Sequence, residues 1–412
     1  MKVKINNHAL DRIPLSIIFD DSTVLVNLNY FWMRDRNPLD GQGRHWEYVP
    51  VVHPESFTRE FAEWCLENGV KGKFSIVPCP AALGRIDHGL PMFSKQQQDS
   101  WLDMCREFIV PSFDITPEMM THSYVVDLET FQPLESRIWE QYEWQTLPMD
   151  QEELVFNYIA TACQILKNVG LTPEGVTSPG GFGGKTLEFY AKVSGLALRE
   201  VTGNPTPYFF KRFSDDAKAP VWYIDRKAGT AVGEVTASTG DWTGSWTGYE
   251  QVSVDKYITA DLQGGRVPAL LNAGNPVVFC SHWQGFYGMH NDDRRGFNTF
   301  KTVVKRIQEI DPDGEKTQWR KCSEITNYSC AKEMTEISIK DNTIEFDLPV
   351  LVPDFTIRIT GVDIKGVSVD GEFLKKTNSK SGFKSGTFFV DNVVTLVAFD
   401  PKKRNVKMEI MK

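Results

Sequence analysis

The sequence predicts an α/β fold built on a parallel sheet, followed by a smaller β-sandwich domain. From residue 12 to about residue 312, apolar strand-like runs alternate with amphipathic helical runs. Such alternation indicates parallel strands, in an open or a closed sheet, because parallel neighbours need long crossover connections. After about residue 330 only short β-rich runs remain. The 412 residues are enough for one barrel-sized domain and a smaller one.

The first β-α-β unit begins with the strand "RIPLSIIFD" and ends with the strand "KGKFSIVP". Between them, "PESFTREFAEWCLENGV" places Phe57, Phe61 and Trp64 near helical spacing. The alternation continues through four further predicted strands: "MMTHSYVVD", "EGVTSPGG", "GEVTAS" and "PVVFCSHW". The helices predicted after the first unit are "DQEELVFNYIATACQILKNVG", "KTLEFYAKVSGL", "VDKYITADLQGGRVPALLNAG" and "GFNTFKTVVKRIQEI".

The C-terminal region, residues 331–412, is predicted to form a small all-β sandwich. Its strand-like runs are "TEISIKDNTIEFDL", "DFTIRITGV", "GVSVDGEFL" and "GTFFVDNVVTLVAFD". Hairpin turns are predicted at Asp341-Asn342, Asp370-Gly371 and Asp391-Asn392. The polar stretch 310–327 is the expected boundary, so that the α/β domain covers 1–320.

Composition narrows the class of partner. A net charge of −9 argues against a nucleic-acid surface, and no run reaches the roughly 18 apolar residues of a membrane span. The seven cysteines show no C-x-x-C spacing, so neither a disulfide framework nor a cysteine zinc site is expected. No apolar run follows the N-terminal lysines, which is typical of a cytoplasmic chain, although a chain trimmed of an export signal has the same appearance. Small polar or sugar-like partners fit best.

Polar side chains cluster at the predicted strand ends, which in a β/α domain converge on one face. They are Asp20 and Asp21, His122 with Ser123, "TSPGG" at 177–181, "GDW" at 240–242 and "SHWQ" at 281–284. Two adjacent carboxylates repel each other, so the Asp20-Asp21 pair is either exposed in a surface turn or functional.

These motifs, in this order, resemble the NodB-type polysaccharide deacetylases, carbohydrate esterases that fold as a distorted (β/α) barrel and remove acetyl groups from glycans. "FDDS" is similar to T-F-D-D-G, "THSYVVD" lies where the family has H-S/T-x-x-H, and "TSPGG" stands for R-x-P-x-G. "GDW" and "CSHW" are similar to the family's Asp-Trp motif and its closing L-x-H. The resemblance spans about residues 12 to 312 and implies a deacetylase-like barrel over 1–320 that acts on a carbohydrate.

The resemblance also implies roles for single residues. Asp20 is the general base, His282 the general acid and Asp241 the residue that orients His282. Asp21 and His122 are metal ligands. The substrate-binding residues are Trp242, Trp246, Trp283, Pro179 and Gly180.

Two departures from the family pattern limit this reading. The family's second metal histidine corresponds to Val126, and its arginine, which positions the base, corresponds to Thr177. Asp127 replaces the missing ligand only if the chain turns there, because neighbouring strand residues point to opposite faces. A divalent metal, zinc or similar, is therefore expected to be weakly bound or absent.

Two other functions stay open. One is a catalytically lapsed barrel that only binds a glycan. The other is a glycoside hydrolase that uses two carboxylates, Asp20 or Asp21 with Glu143 or Asp241. Aromatic residues in "IWEQYEWQ" and "DWTGSWTGYE" offer flat faces for sugar rings, or they pack their loops down.

Overall fold

The computed structural model describes residues 1–22, 54–213, 218–246, 248, 250–288 and 294–412. Strands β1 to β10 are, in chain order, Lys2–Ile5, Ile13–Ser22, Gly72–Ile76, Phe113–Pro117, Gly175–Thr177, Tyr208–Phe213, Val221–Asp225, Thr230–Ala237, Val277–His282 and Thr317–Trp319. Helices α1 to α9 are Glu55–Asn68, Lys95–Met104, Glu152–Asn168, Leu187–Thr202, Val254–Tyr257, Arg266–Ala273, Trp283–Tyr287, Arg295–Ile310 and Cys322–Met334. A π-helical segment, Cys105–Ile109, extends α2, and short 3-10 turns lie at Ala9–Asp11, Pro80–Ala82 and Glu143–Gln145.

Two mainly parallel sheets form the α/β part. In the first, β2 pairs with β3, β9 and β10, and β3 pairs with β4. The second has the order β5-β6-β8-β7, in which only β7 is antiparallel. Isolated parallel bridges at Ile115–Pro173 and Glu118–Thr177 link β4 to the start and end of β5. On the other side, the Ser238 N–H donates to the Val278 carbonyl over 2.8 Å.

Alternate residues of β2 face two different cores, as the period of a strand requires. Leu15, Ile17 and Phe19 contribute to a large cluster with the outer helices, in which Phe19 lies 4.6 Å from Phe61 of α1. Ile18 faces a smaller interior cluster, whose other members are Tyr208, Phe210, Val235, Ala237, Val278, Cys322 and Ile325. The N-terminal part of α9 therefore packs into the space between the sheets.

The β part is a sandwich of two five-stranded sheets. Strands β11 to β19 are Glu336–Lys340, Thr343–Asp347, Phe355–Thr360, Gly366–Val369, Glu372–Phe373, Lys375–Thr377, Thr387–Asp391, Val394–Phe399 and Asn405–Met411. The sheet orders are β1-β13-β18-β17-β16 and β11-β12-β19-β14-β15, and side chains from both sheets share one core. Two of the predicted hairpin turns are present at Asp341-Asn342 and Asp370-Gly371. The third lies one residue later than predicted, at Asn392-Val393, because Asp391 still pairs with Val394. Asp341, Asp370 and Asn392 have positive φ.

Three sequence-based boundaries need correction. Strand β1 pairs with β13, with Lys2 opposite Thr360, so the first residues belong to the β-sandwich and not to the α/β domain. The predicted strand "MMTHSYVVD" follows the actual strand β4 as irregular chain. The polar boundary 310–327 contains β10 and the start of α9, which joins the interior core.

Candidate functional site

The predicted polar residues meet where the strands end. Asp20 and Asp21 lie near the end of β2, and His282 ends β9, directly opposite Asp20 in the ladder. His122 follows β4, and Asp241 follows β8. The structure therefore brings all five residues to one edge of the sheets, although they span more than half of the chain.

His282 is held between two carboxylates. Its Nδ1 lies 2.8 Å from Oδ2 of Asp241, and its Nε2 lies 3.8 Å from Oδ2 of Asp21. Burial on its own lowers the pKa of His282, but the hydrogen bond with Asp241 and the charges of Asp21, Asp241 and Asp20 outweigh it and raise the pKa to about 9. The imidazole is thus protonated at neutral pH, with Nε2 directed towards Asp21.

Asp21, Glu118 and His122 form a buried cluster beside His282. Nε2 of His122 lies 2.9 Å from Oδ1 of Asp21 and 3.3 Å from Oε1 of Glu118. One ligand atom from each of the three residues lies within 4.8 Å of the other two. The other oxygen of Glu118, Oε2, accepts the Asp21 N–H at 2.7 Å and the Ser75 hydroxyl at 2.6 Å, which turns Oε1 towards His122.

The donor types of this cluster fit a divalent cation. Two carboxylates and one imidazole suit zinc or manganese. Asp21 and His122 both have a left-handed backbone, with φ of 62° and 60°, a conformation that is costly for residues other than glycine and that concentrates at functional sites. The third donor, which Val126 does not provide, is Glu118, four residues before His122 instead of four after it.

Two neighbouring residues of the segment after His122 hold it in place. The buried carboxylate of Glu140 accepts the backbone N–H groups of Thr121 and His122, at 3.0 and 2.8 Å. Gln141 Nε2 lies 2.9 Å from Nδ1 of His122 and 2.9 Å from its carbonyl oxygen. Because the amide donates to Nδ1, the ring proton of a neutral His122 lies on Nε2, between the two carboxylates. A cation in that position would replace this proton, and Gln141 would have to turn its amide oxygen to Nδ1.

Asp20 is paired with a buried lysine that the sequence reading missed. Nζ of Lys73 lies 2.5 Å from Oδ1 of Asp20 and 2.7 Å from Oγ1 of Thr177. Burial raises the pKa of Asp20, and the charge of Lys73 opposes this rise. A cation therefore does reach Asp20, from β3 instead of from position 177.

Asp127 and Glu143 lie outside this cluster. Oδ1 of Asp127 accepts hydrogen bonds from the backbone of Glu129 and Thr130, which closes a local turn, and the bonds from Thr130 lower its pKa. Glu143 is exposed, and its Oε2 accepts the Trp139 N–H at 2.9 Å. Asp127 thus does not replace the missing ligand, because its carboxylate is used in the turn.

The predicted substrate-binding residues separate into buried and accessible groups. Trp283 is only 1% exposed, stacks on Phe19 at 4.3 Å and donates to the Ser22 hydroxyl, so it is a core residue and its assignment to a sugar groove is wrong. Pro179 is buried, whereas Gly180 is exposed beside Gln141. Trp242 and Trp246 are half-buried, and Trp242 packs edge-on against Tyr257.

The aromatic segment after His122 separates in the same way. Trp139 and Trp144 are buried, but Tyr142 is 50% exposed and stacks on Trp139 with an interplanar angle of 7°. Three backbone hydrogen bonds join this segment to the glycine-rich loop after β5: Gly181 N–H to Gln141, Gly183 N–H to Trp144 and Lys185 N–H to Gln145. Tyr142 is thereby fixed next to Gln141, which contacts His122.

No family model matches the sequence, and no curated protein matches it. Three solved structures to which the chain is similar are an uncharacterized protein of Listeria monocytogenes EGD-e, a glycoside hydrolase family 30 subfamily 8 xylanase of Clostridium acetobutylicum and a debranching enzyme of Nostoc punctiforme. Their identities are 8%, 10% and 8%, and their TM-scores 0.33, 0.30 and 0.31. The matches cover 99%, 85% and 98% of this chain and 55%, 92% and 98% of the other chains, so the chain spans about half the length of the Listeria protein. Likenesses this distant carry no conclusion about activity.

Proposed function

We propose that this protein is a metal-dependent hydrolase that removes an acyl group, such as acetyl, from a carbohydrate derivative, and that its two linked sheets curve into a distorted barrel around the site. The observation that carries the proposal is the placement of His282, which is paired with Asp241, and of a carboxylate, Asp20, beside one Asp21–Glu118–His122 cluster. An acid and a base next to a cation site are the groups that acyl hydrolysis needs.

Asp21, Glu118 and His122 would hold the divalent cation, which when bound supplies an acidified water and polarises the acyl carbonyl. Asp20 accepts the proton that the attacking water loses. His282 donates its Nε2 proton to the departing amine or alkoxide, because Nδ1 is already bonded to Asp241. Asp241 keeps the imidazole in this orientation, and Thr243 holds Asp241 through a hydroxyl bond of 2.6 Å.

A carbohydrate is the substrate class that the surroundings favour. Tyr142 presents an exposed aromatic ring on the loop that contacts His122, and Trp246, which follows Asp241 on the same loop, is half-buried. Aromatic faces bind sugar rings through their apolar C–H surfaces. Of the two glycoside-hydrolase pairings that use Glu143, neither gains support, because Glu143 caps Trp139 instead of facing the cluster.

The test is acetate release from acetylated sugars and oligosaccharides by the zinc- or manganese-loaded protein. Asp20→Asn and His282→Ala should each lower turnover by roughly 10²- to 10⁴-fold, as expected for groups that transfer protons. Asp127→Ala, which removes a carboxylate from the neighbouring turn, is the matched control and should have wild-type activity. New reducing ends without acetate would indicate a glycoside hydrolase, and glycan binding without either product would indicate a lapsed enzyme.

A further inference from the structure

Lys73 is an unusual residue for its position. It lies in β3, where Phe74 and Ile76 face the outer core while Lys73 and Ser75 face the interior between the sheets. Its side chain is 0% exposed. Burying a lysine is costly unless its charge and its donors are matched, so each of its three N–H groups needs a partner.

The structure provides three partners for Nζ of Lys73. Two are hydrogen-bond acceptors, Asp20 Oδ1 at 2.5 Å and Thr177 Oγ1 at 2.7 Å, and the third is the face of the Phe210 ring, whose centroid is 4.6 Å away. Because Lys73 can only donate, the Thr177 hydroxyl accepts from it, and a further hydrogen bond joins the hydroxyls of Thr177 and Thr116, which are 2.7 Å apart.

Among the described residues, the hydrogen bonds to the Asp20 carboxylate fall on one oxygen. Lys73 donates to Oδ1 at 2.5 Å, and the Ser75 hydroxyl, whose single proton goes to Glu118, lies 3.4 Å from the same oxygen. Oδ2 accepts no hydrogen bond from the described residues, and Asp20 lies opposite His282 in the ladder at this edge. A buried ion pair adds little net stability compared with an apolar pair of the same size, so stability alone does not account for a lysine here.

We propose that Lys73 is the positioning residue of the general base: it fixes Oδ1 of Asp20 so that Oδ2 is the oxygen that takes the proton from water. This inference rests on the proposed function and extends it to a residue from a different strand than the resemblance indicates. Lys73 acts only through Asp20, since it contacts none of the three cluster residues in the described structure.

The test is a double-mutant cycle of Lys73→Met and Asp20→Asn, with kcat and KM measured for acetate release from one acetylated oligosaccharide. Lys73→Met should lower kcat by about 10²-fold while KM changes less than about threefold, because substrate contacts are untouched. In the Asp20→Asn background, Lys73→Met should lower kcat by less than about threefold, because the effects of residues that act as one unit are not additive. Lys73→Arg keeps the cation and should recover part of the lost kcat.

Asp114→Asn is the matched control, since Asp114 is buried opposite Lys73 in the β3–β4 ladder but bonds Ser323 and Tyr208 and not Asp20. It should retain wild-type kcat. If Lys73→Met does not fold, the neutral pair Asp20→Asn/Lys73→Met decides the question: activity equal to Asp20→Asn supports the inference, and a further tenfold loss overturns it. If the wild type is active and Lys73→Met lowers kcat by less than about threefold, this inference is overturned while the proposed function stands. A wild type that releases no acetate overturns the proposed function and this inference with it.

Discussion

Nδ1 of His282, the last residue of β9, lies 2.8 Å from Oδ2 of Asp241, which follows β8. This hydrogen bond and the negative charges around the ring raise the pKa of His282 to about 9, although burial on its own would lower it. The pair therefore keeps the proposed acid protonated.

Asp241→Asn should lower the pKa of His282 by about one to two units, because it removes the nearest negative charge. The measurement is an NMR titration of the chelator-treated protein, in which we expect wild-type His282 to titrate near pH 9. Folding raises the pKa of His282 from 6.5 to about 9, and this adds to the free energy of unfolding. The contribution is complete below pH 6.5 and is lost as the pH rises through about 9. In the Asn variant, the stabilisation from protonated His282 should be lost at a lower pH than in the wild type. An unchanged titration of His282 would exclude its pairing with Asp241.

Glu118→Ala and Asp21→Ala should each weaken zinc affinity by at least about 10²-fold, because losing a ligand costs more than the 10- to 100-fold typical of its outer partners. Isothermal titration of the stripped protein measures this without any assay of activity. Asp127→Ala should bind zinc as the wild type does, because its carboxylate caps residues 129 and 130. Equal losses in Asp127→Ala and Glu118→Ala would place the third ligand at Asp127.

Gln141→Glu should strengthen zinc binding by about tenfold, because a carboxylate accepts the Nδ1 proton of His122 and leaves Nε2 free for the cation. Gln141→Leu should weaken binding. Gln145→Glu is the control for added charge, since Gln145 lies on the same segment but packs against Gly181 and not His122. If Gln145→Glu strengthens zinc binding as much as Gln141→Glu, the effect is charge and not the orientation of His122.

Tyr142→Ala should raise KM for an acetylated oligosaccharide by about 2- to 10-fold, the range expected when one aromatic contact is lost. Tyr142→Phe keeps the ring and should resemble the wild type. An acetylated monosaccharide, which occupies the reacting centre alone, should be less affected by either change. Equal KM effects on both substrates would mean that Tyr142 shapes the loop instead of binding sugar.

Elements that bury one continuous apolar stripe could be predicted from the sequence. Helix α8 is an example, because Phe297, Phe300, Val304 and Ile307 recur at helical spacing and are all buried. Helix α9 could not be predicted, because its buried residues include Cys322, Ser323 and Thr326, small polar side chains that are typical of a linker. They are buried because the helix enters the interior between the sheets, which only tertiary structure shows.

The site was predictable in part for a similar reason. Residues at the end of a strand, such as Asp21 and His282, could be found by position alone. Glu118 was available as a carboxylate four residues before His122, but the expected family spacing directed attention to Val126. Lys73 had a local signal, a charge inside an apolar strand, whereas the contact between Gln141 and His122 crosses an irregular segment that has no periodicity to read.

The pairing of β1 with β13 joins residues 2–5 to residues 357–360. During synthesis on the ribosome, the first strand therefore waits for its neighbour until nearly the whole chain has been made. The α/β part is in effect inserted into the β-sandwich, and its folding brings the two distant segments together, which lowers the entropy cost of closing so long a loop. A truncated chain that stops at residue 330 would leave β1 an unpaired edge, prone to join other chains, so shortening this protein to its α/β part calls for removing both ends.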